Sequence, residues 1–240
     1  MSEKIISESW KNALGQNAVE LIKVKYAQIT EQRKAQEILP LEGEHSGIFY
    51  ALNTTPFEDV KVLIIGQDPY PNREDAHGLA FSKKSGKVPA SLKNIFEKIK
   101  EDVGIENVSG NLTPWAKQGV LMLNRALTFT KNESLAKRNK FWKPVIDSII
   151  ESLINRNKPL VVILWGIPAN EIAQFSFNNE NNLKNHSVYI IRSSHPSNMG
   201  NAKNSDIFDG RVKSFMSTPT FSQCNKILKS LGCNEINWQT

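Results

Sequence analysis

Apolar residues along the chain fall into four short runs, at residues 60–65, 120–123, 160–165 and 188–191, with stretches of helical periodicity between them. Runs this short and this rich in Val, Ile and Leu read as strands, and near-continuous apolarity points to burial on both faces. After the first run, Pro89-Ala90-Ser91-Leu92 opens a helix bearing Ile95, Phe96 and Ile99, and residues 141–154 form another with Val145, Ile149, Ile150 and Leu153 apolar. Pro168 suits the start of a third, because its missing N–H is one that the first helical turn leaves unpaired anyway. Phe221, Cys224, Ile227, Leu228 and Leu231 trace one more helical face near the C-terminus. Strands alternating with helices predict a three-layer α/β/α fold around a central, mostly parallel four-stranded sheet.

Ahead of the first strand, residues 7–39 carry Trp10, Leu14, Leu21, Ile22, Val24 and Tyr26 at positions that fit a 3.6-residue period loosely. They read as a helical preface spanning residues 1–45. Asn178-Asn179-Glu180-Asn181-Asn182 reads as a polar loop, and no long linker, repeat or low-complexity block divides the chain. Residues 1–240 are therefore expected to form a single domain, for which 40% hydrophobic content supplies an adequate core.

The chemistry lies just past the strands. Gln67-Asp68-Pro69-Tyr70 follows the first run, Asn124-Arg125 the second, Gly166-Ile167-Pro168 the third and Ser193-Ser194-His195-Pro196-Ser197 the fourth. In open α/β sheets ligands bind in the crevice at the carboxyl ends of the strands, so an acid, two amides, a phenol and an imidazole are expected on one edge. Each residue alone has an ordinary reading: Asp-Pro ends elements, Asn turns the chain, a lone His satisfies a core. Their convergence on one edge is what points to a site.

Thirty Lys plus Arg against twenty-four Asp plus Glu leave a net charge of +6, which suits a polyanionic partner. Lys83, Lys84 and Lys87 read as a basic loop that is solvated or faces a polyanionic partner. Two cysteines, Cys224 and Cys233, with no Cys-x-x-Cys pair, argue against structural zinc or an iron–sulfur cluster, and Cys224 reads as a small buried thiol. No apolar leader follows Met1-Ser2-Glu3-Lys4, and the longest apolar run is far short of the roughly 20 residues that span a bilayer. A cytoplasmic protein without a membrane partner is the expectation. Ser85-Gly86-Lys87 lacks the upstream glycine of a phosphate-binding loop, and no Gly-x-Ser-x-Gly elbow exists.

Four segments carry a resemblance to a known family: residues 66–70 (Gly-Gln-Asp-Pro-Tyr), residues 76–82 (Ala-His-Gly-Leu-Ala-Phe-Ser), residues 119–124 (Gly-Val-Leu-Met-Leu-Asn) and residues 195–197 (His-Pro-Ser). In order and spacing, over about Pro56 to Trp238, the chain resembles the uracil-DNA glycosylases of the family 1 type. The resemblance implies hydrolysis of the N-glycosidic bond between uracil and deoxyribose, without metal or cofactor, after the nucleotide is flipped out of the stack. It assigns Asp68 to positioning water and stabilising the cationic sugar, and His195 to a hydrogen bond on uracil O2 as the base leaves as an anion. Asn124 would read O4 and N3–H, Phe81 would stack on the base, Tyr70 would fill the space where thymine carries its methyl, and Gln67 would line the pocket. Ser91 and Ser197 would grip phosphates, and Met199 would enter the gap left by the flipped base in place of the family's leucine. The implied partner is uracil-containing DNA, single- or double-stranded, bound by a monomer that proteinaceous glycosylase inhibitors could also engage.

The chain departs from the family pattern at four places: Pro71-Asn72 stands for His-Gly, Asn198-Met199 for Pro-Leu, and Ile167 for a serine, and around Ala136-Lys137-Arg138-Asn139 a usual histidine before Phe141-Trp142 is absent. A non-catalytic DNA-binding module on the same fold therefore stands as the alternative, and a glycosylase of shifted base preference as a third reading.

Overall fold

A computed structural model describes residues 5–166, 188–198 and 213–240. The expected helix start at Pro168, the loop at Asn178–Asn182, Ile167 and Met199 lie outside the described residues. Four strands, β1 (Val62–Gly66), β2 (Val120–Asn124), β3 (Leu160–Trp165) and β4 (Val188–Ser193), pair in the order β2-β1-β3-β4, all in parallel. Every residue of β1, β2 and β3 is buried, as uninterrupted apolar runs require, whereas β4 at the edge is half-buried over most of its length. Fully burying each Val, Leu or Ile of these strands contributes about 1.5–3 kcal/mol.

Helices flank the sheet. α1 (Glu8–Gln32) packs against α5 (Leu135–Asn155), and α3 (Ala90–Val103) against α6 (Thr220–Ser230), with short α2 (Tyr50–Thr54) and α4 (Thr113–Ala116) beside β2. The preface ends at Gln32, short of the expected residue 39, and is broken at Gly15, whose φ is 75°. Its apolar positions serve unequally: Trp10, Ile22 and Ile29 are buried, while Val24 is 52% exposed. Trp10 anchors the segment, with Nε1 donating to Thr55 O at 2.8 Å and its ring edge-on to Phe57 at 5.1 Å.

The other boundary that differs is the start of α5, at Leu135 and not at residue 141. Ser134 caps it, its Oγ accepting from Lys137 N at 3.3 Å, and Arg138 occupies the buried face one turn before Trp142. A cationic residue on that face hides the first turn from a periodicity reading. Cys224 is fully buried on α6, as its pattern implied, and burial pushes its thiol up to about 12.

Candidate active site

β1 and β2 end side by side, with Gly66 opposite Asn124 in the parallel register. The two strands stay joined past their last ladder pair, because Arg125 N donates to Gly66 O and Ala126 N to Gln67 O, each at 3.0 Å. That junction fixes the turn carrying Asp68. Gly66 has no side chain for a steric reason: a Cβ there would lie 2.4 Å from Asn124 Oδ1 and 2.7 Å from Ala80 Cβ. Asn124, 4% exposed, lies over that space.

A cavity of about 400 Å³ opens at this edge, lined among others by Gln67, Asp68, Tyr70, Phe81, Ser91, Asn124 and His195. Seven residues expected from the sequence thus face one space. A second, larger cavity of about 850 Å³ runs past residues 42–47 and Asn53, but three of its polar side chains are engaged by the chain itself: Glu42 with Arg33 and Ile48 N, Asn53 with Ile5 O, Asn111 with Thr113 N. Convergent groups, and not volume, make the smaller cavity the candidate site.

Phe81 holds a left-handed backbone, φ 62°, unusual for a bulky residue and the kind of strain that persists at ligand sites when its surroundings enforce it. Three contacts enforce it here. Tyr70 Oη donates to Phe81 O at 3.0 Å, the Phe81 ring meets Trp165 edge-on at 5.1 Å, and next to it Ser82 Oγ lies 2.7 Å from buried His77 Nε2 and accepts from Leu112 N at 2.8 Å. Burial pushes the Tyr70 phenol up to about 12, with the Asp75 charge adding to it, so the ring stays a neutral donor. Burial pulls the His77 imidazole down to about 4, against a hydrogen bond with the His45 backbone.

His195 follows β4, its ring 5.9 Å from that of Phe81. Ser197 N donates to His195 Nδ1 at 3.0 Å, so Nδ1 carries no proton and the neutral ring bears its hydrogen on Nε2. Gly166, φ 83°, ends the neighbouring strand; a Cβ on it would come within 3.0 Å of His195 Cβ. Across the loop, Asn94 Nδ2 on α3 donates to Pro196 O at 2.7 Å and Asn198 Oδ1 at 2.9 Å. The departure at Asn198 thus has a partner in the structure. So does Asn72, which organises the turn after Pro71: its Oδ1 accepts from Glu74 N at 2.9 Å, and its carbonyl from Ala76 N at 3.0 Å.

Asp68, 19% exposed at its side chain, pairs through Oδ2 with Arg138 Nη1 at 2.8 Å. Arg138 is one residue that sequence reasoning missed as a participant; the signal available was a charge in helical register with Trp142 and Val145, a position that faces inward. Asn94 and the neutral His77 were missed too, and each acts through a partner far away or through burial. Of the remaining expectations, Ser197 sits in the His195 loop, half-buried, while Met199 is outside the described residues. In the basic loop Lys84 and Lys87 are exposed, but Lys83 is a correction: it is no solvated cation but pairs with Asp75 at 2.9 Å, only 12% exposed, and donates to Lys87 O at 2.8 Å. Asp75, brought over by the turn at Asn72, neutralises it.

Comparison with known proteins gives one consistent result. Residues 52–224 match the family model described as the Uracil DNA glycosylase superfamily. The chain is 39% identical to the uracil-DNA glycosylase of Enterococcus faecalis over 240 residues, covering 99% of this chain and 97% of the relative. It is 40% identical to that of Bacillus pumilus over 210 residues, covering 87% and 84%. Among solved structures it superposes on the mimivirus uracil-DNA glycosylase with a TM-score of 0.80 at 26% identity, covering 98% of this chain and 88% of that one. A mimivirus variant solved in complex with UGI matches with a TM-score of 0.80 at 27% identity, covering 98% and 90%.

Proposed function

Because the chain belongs to the uracil-DNA glycosylase superfamily, a hydrolase that removes uracil from DNA and so begins base excision repair, we propose that the cavity holds the flipped uracil and that Asp68 and His195 carry its release. The observation that carries this reading is the convergence of Asp68, Asn124, Phe81 and His195 on one cavity of about 400 Å³.

Glycosidic cleavage puts positive charge on the sugar and negative charge on the departing base. Asp68 is the anion at the cavity, suited to hold water and to face the sugar cation. His195, with its proton on Nε2, is a neutral donor for uracil O2, and stabilising the leaving anion asks for such a fixed donor in place of a full proton transfer. Asn124 reads the base edge; presenting the wrong edge leaves a buried donor or acceptor unmatched, at about 1–3 kcal/mol each. Phe81, its ring held by Trp165, stacks on the base, and Tyr70 stands against a C5 methyl. Gln67 lines the mouth. Ser91 at the start of α3 and Ser197 hold phosphates, and Met199 takes the place of the flipped base.

The partner is uracil-containing DNA, single- or double-stranded, bound by a monomer acting as one domain behind its helical preface in the cytoplasm. The mimivirus relative's complex with the UGI inhibitor supports a proteinaceous inhibitor as a second partner. No described helix is long and apolar enough to cross a membrane.

The test is a labelled oligonucleotide with one uracil, incubated with the protein in EDTA and then treated with alkali. Cleavage confined to the uracil position, falling by at least about 100-fold in D68N, is expected. Folded wild-type protein that binds DNA and releases no base would instead mark the non-catalytic module.

A further inference from the structure

We propose that Arg138 is a positioning residue for Asp68: it holds one carboxylate oxygen so that the other is turned to the reacting water and sugar. The proposal rests on Asp68 acting as described above. Arg138 is 5% exposed and does not line the cavity, so it meets the carboxylate from the protein side. Its Nη1 lies 2.8 Å from Asp68 Oδ2 and 3.3 Å from Thr128 O, and its guanidinium stands 4.7 Å over the Phe129 ring. The guanidinium is itself anchored. Arg138 N donates to Ser134 O in the first turn of α5, and one turn later Trp142 Nε1 donates to Thr128 Oγ1 at 2.8 Å, tying the helix to the same segment after β2. The other carboxylate oxygen, Oδ1, has by contrast a long 3.4 Å contact with the exposed Gln67 Nε2.

An Asp carboxylate turns about a broad, roughly two-fold torsion, so an anchor on one oxygen decides where the second points. Two effects of Arg138 on catalysis have opposite sign. As a cation it partly cancels the field that Asp68 projects onto the cationic sugar, so removing it would accelerate the reaction. As an anchor it sets the attack geometry, where a displacement near 1 Å costs about 100-fold. Position wins here, because Arg138 lies behind the carboxylate and its charge acts at longer range than that of Asp68, whereas misorientation acts at the reacting atoms themselves. No other carboxylate is paired with Arg138 among the described residues.

Single-turnover excision and oligonucleotide affinity are measured on wild type, R138M, R138K, D68N and the combined variants, with thermal melting to verify folding. R138M is expected to excise about 30- to 100-fold more slowly with affinity within about twofold of wild type. R138K should recover part of the loss, because the Asp68 contact uses one nitrogen that a lysine ammonium can supply, while the stacking over Phe129 is not restored. In the D68N background R138M should add no more than about twofold, the non-additivity of two coupled residues, since there is no carboxylate left to orient. R138M at or above the wild-type rate overturns the proposal, as does a loss that multiplies in full on D68N, which marks a merely structural role. If R138M does not fold, R138Q against D68N/R138Q reads the same coupling, because the shorter neutral amide also removes the ion pair with Asp68. Wild-type excision that is unchanged in D68N overturns the role of Asp68 itself, an outcome distinct from an active wild type, an impaired D68N and a silent R138M.

Discussion

Acid should destabilise this protein through one buried ring. His77 is 1% exposed, with Nε2 2.7 Å from Ser82 Oγ. Burial lowers its pKa from 6.5 to about 4, the Lys84 charge adding to the effect and a hydrogen bond with the His45 backbone opposing it. Protonation would also turn Nε2 into a donor facing a hydroxyl that already accepts from Leu112 N. As pH falls, the unfolded chain binds its proton near 6.5 and the folded chain resists until about 4. The stability held by the neutral ring is therefore whole above the unfolded value and is lost progressively down to the folded one. At about 1.4 kcal/mol per pH unit the full contribution is about 3 kcal/mol, of which about 2 kcal/mol disappears between pH 7 and pH 5. For a chain of this size that is a fall in Tm of about 4–8 °C from this group alone. The assay is thermal melting of wild type and His77→Gln at both pH values. The glutamine amide reaches toward Ser82 without titrating, so the variant should start less stable and lose about 2 kcal/mol less on acidification. Parallel losses in the two proteins would refute the assignment.

Two further outcomes follow from the site. Gly66→Ala puts a methyl where Asn124 Oδ1 would be 2.4 Å away and Ala80 Cβ 2.7 Å; melting should show a loss of about 1–3 kcal/mol, and excision should slow by about 100-fold as Asn124 shifts. Asn94→Ala removes both hydrogen bonds to the loop of His195, at 2.7 and 2.9 Å; about 1 kcal/mol per bond is expected from chemical denaturation, together with slower excision in single turnover.

Much of the fold was legible because burial is written locally. An apolar run of six residues between polar turns has few ways to be satisfied other than as an inner strand, and residues 160–165 appear as β3 without adjustment. The residues past each strand were legible for the same reason: a parallel sheet collects its strand ends on one edge, so Asp68, Asn124 and His195 had to come near one another. Where a local rule was broken, the reading slipped. Arg138 on the inner face of α5 hid that helix's first turn, and Lys83 looked like a solvated charge because Asp75 is brought to it only by the turn at Asn72.

By itself, the sequence determined which segments are strands, which helical faces are apolar, and which chemical groups stand at the sheet's carboxyl edge. The tertiary structure alone decided who partners whom. Arg138 meets Asp68 across 70 residues and Asn94 meets Asn198 across 104. It also decided that His77 is neutral and that Phe81 is held at a positive φ. The physical reason is range: periodicity records whether a position faces inward, while an ion pair, a desolvated ring or a strained platform depends on which distant atoms the packed chain delivers to it.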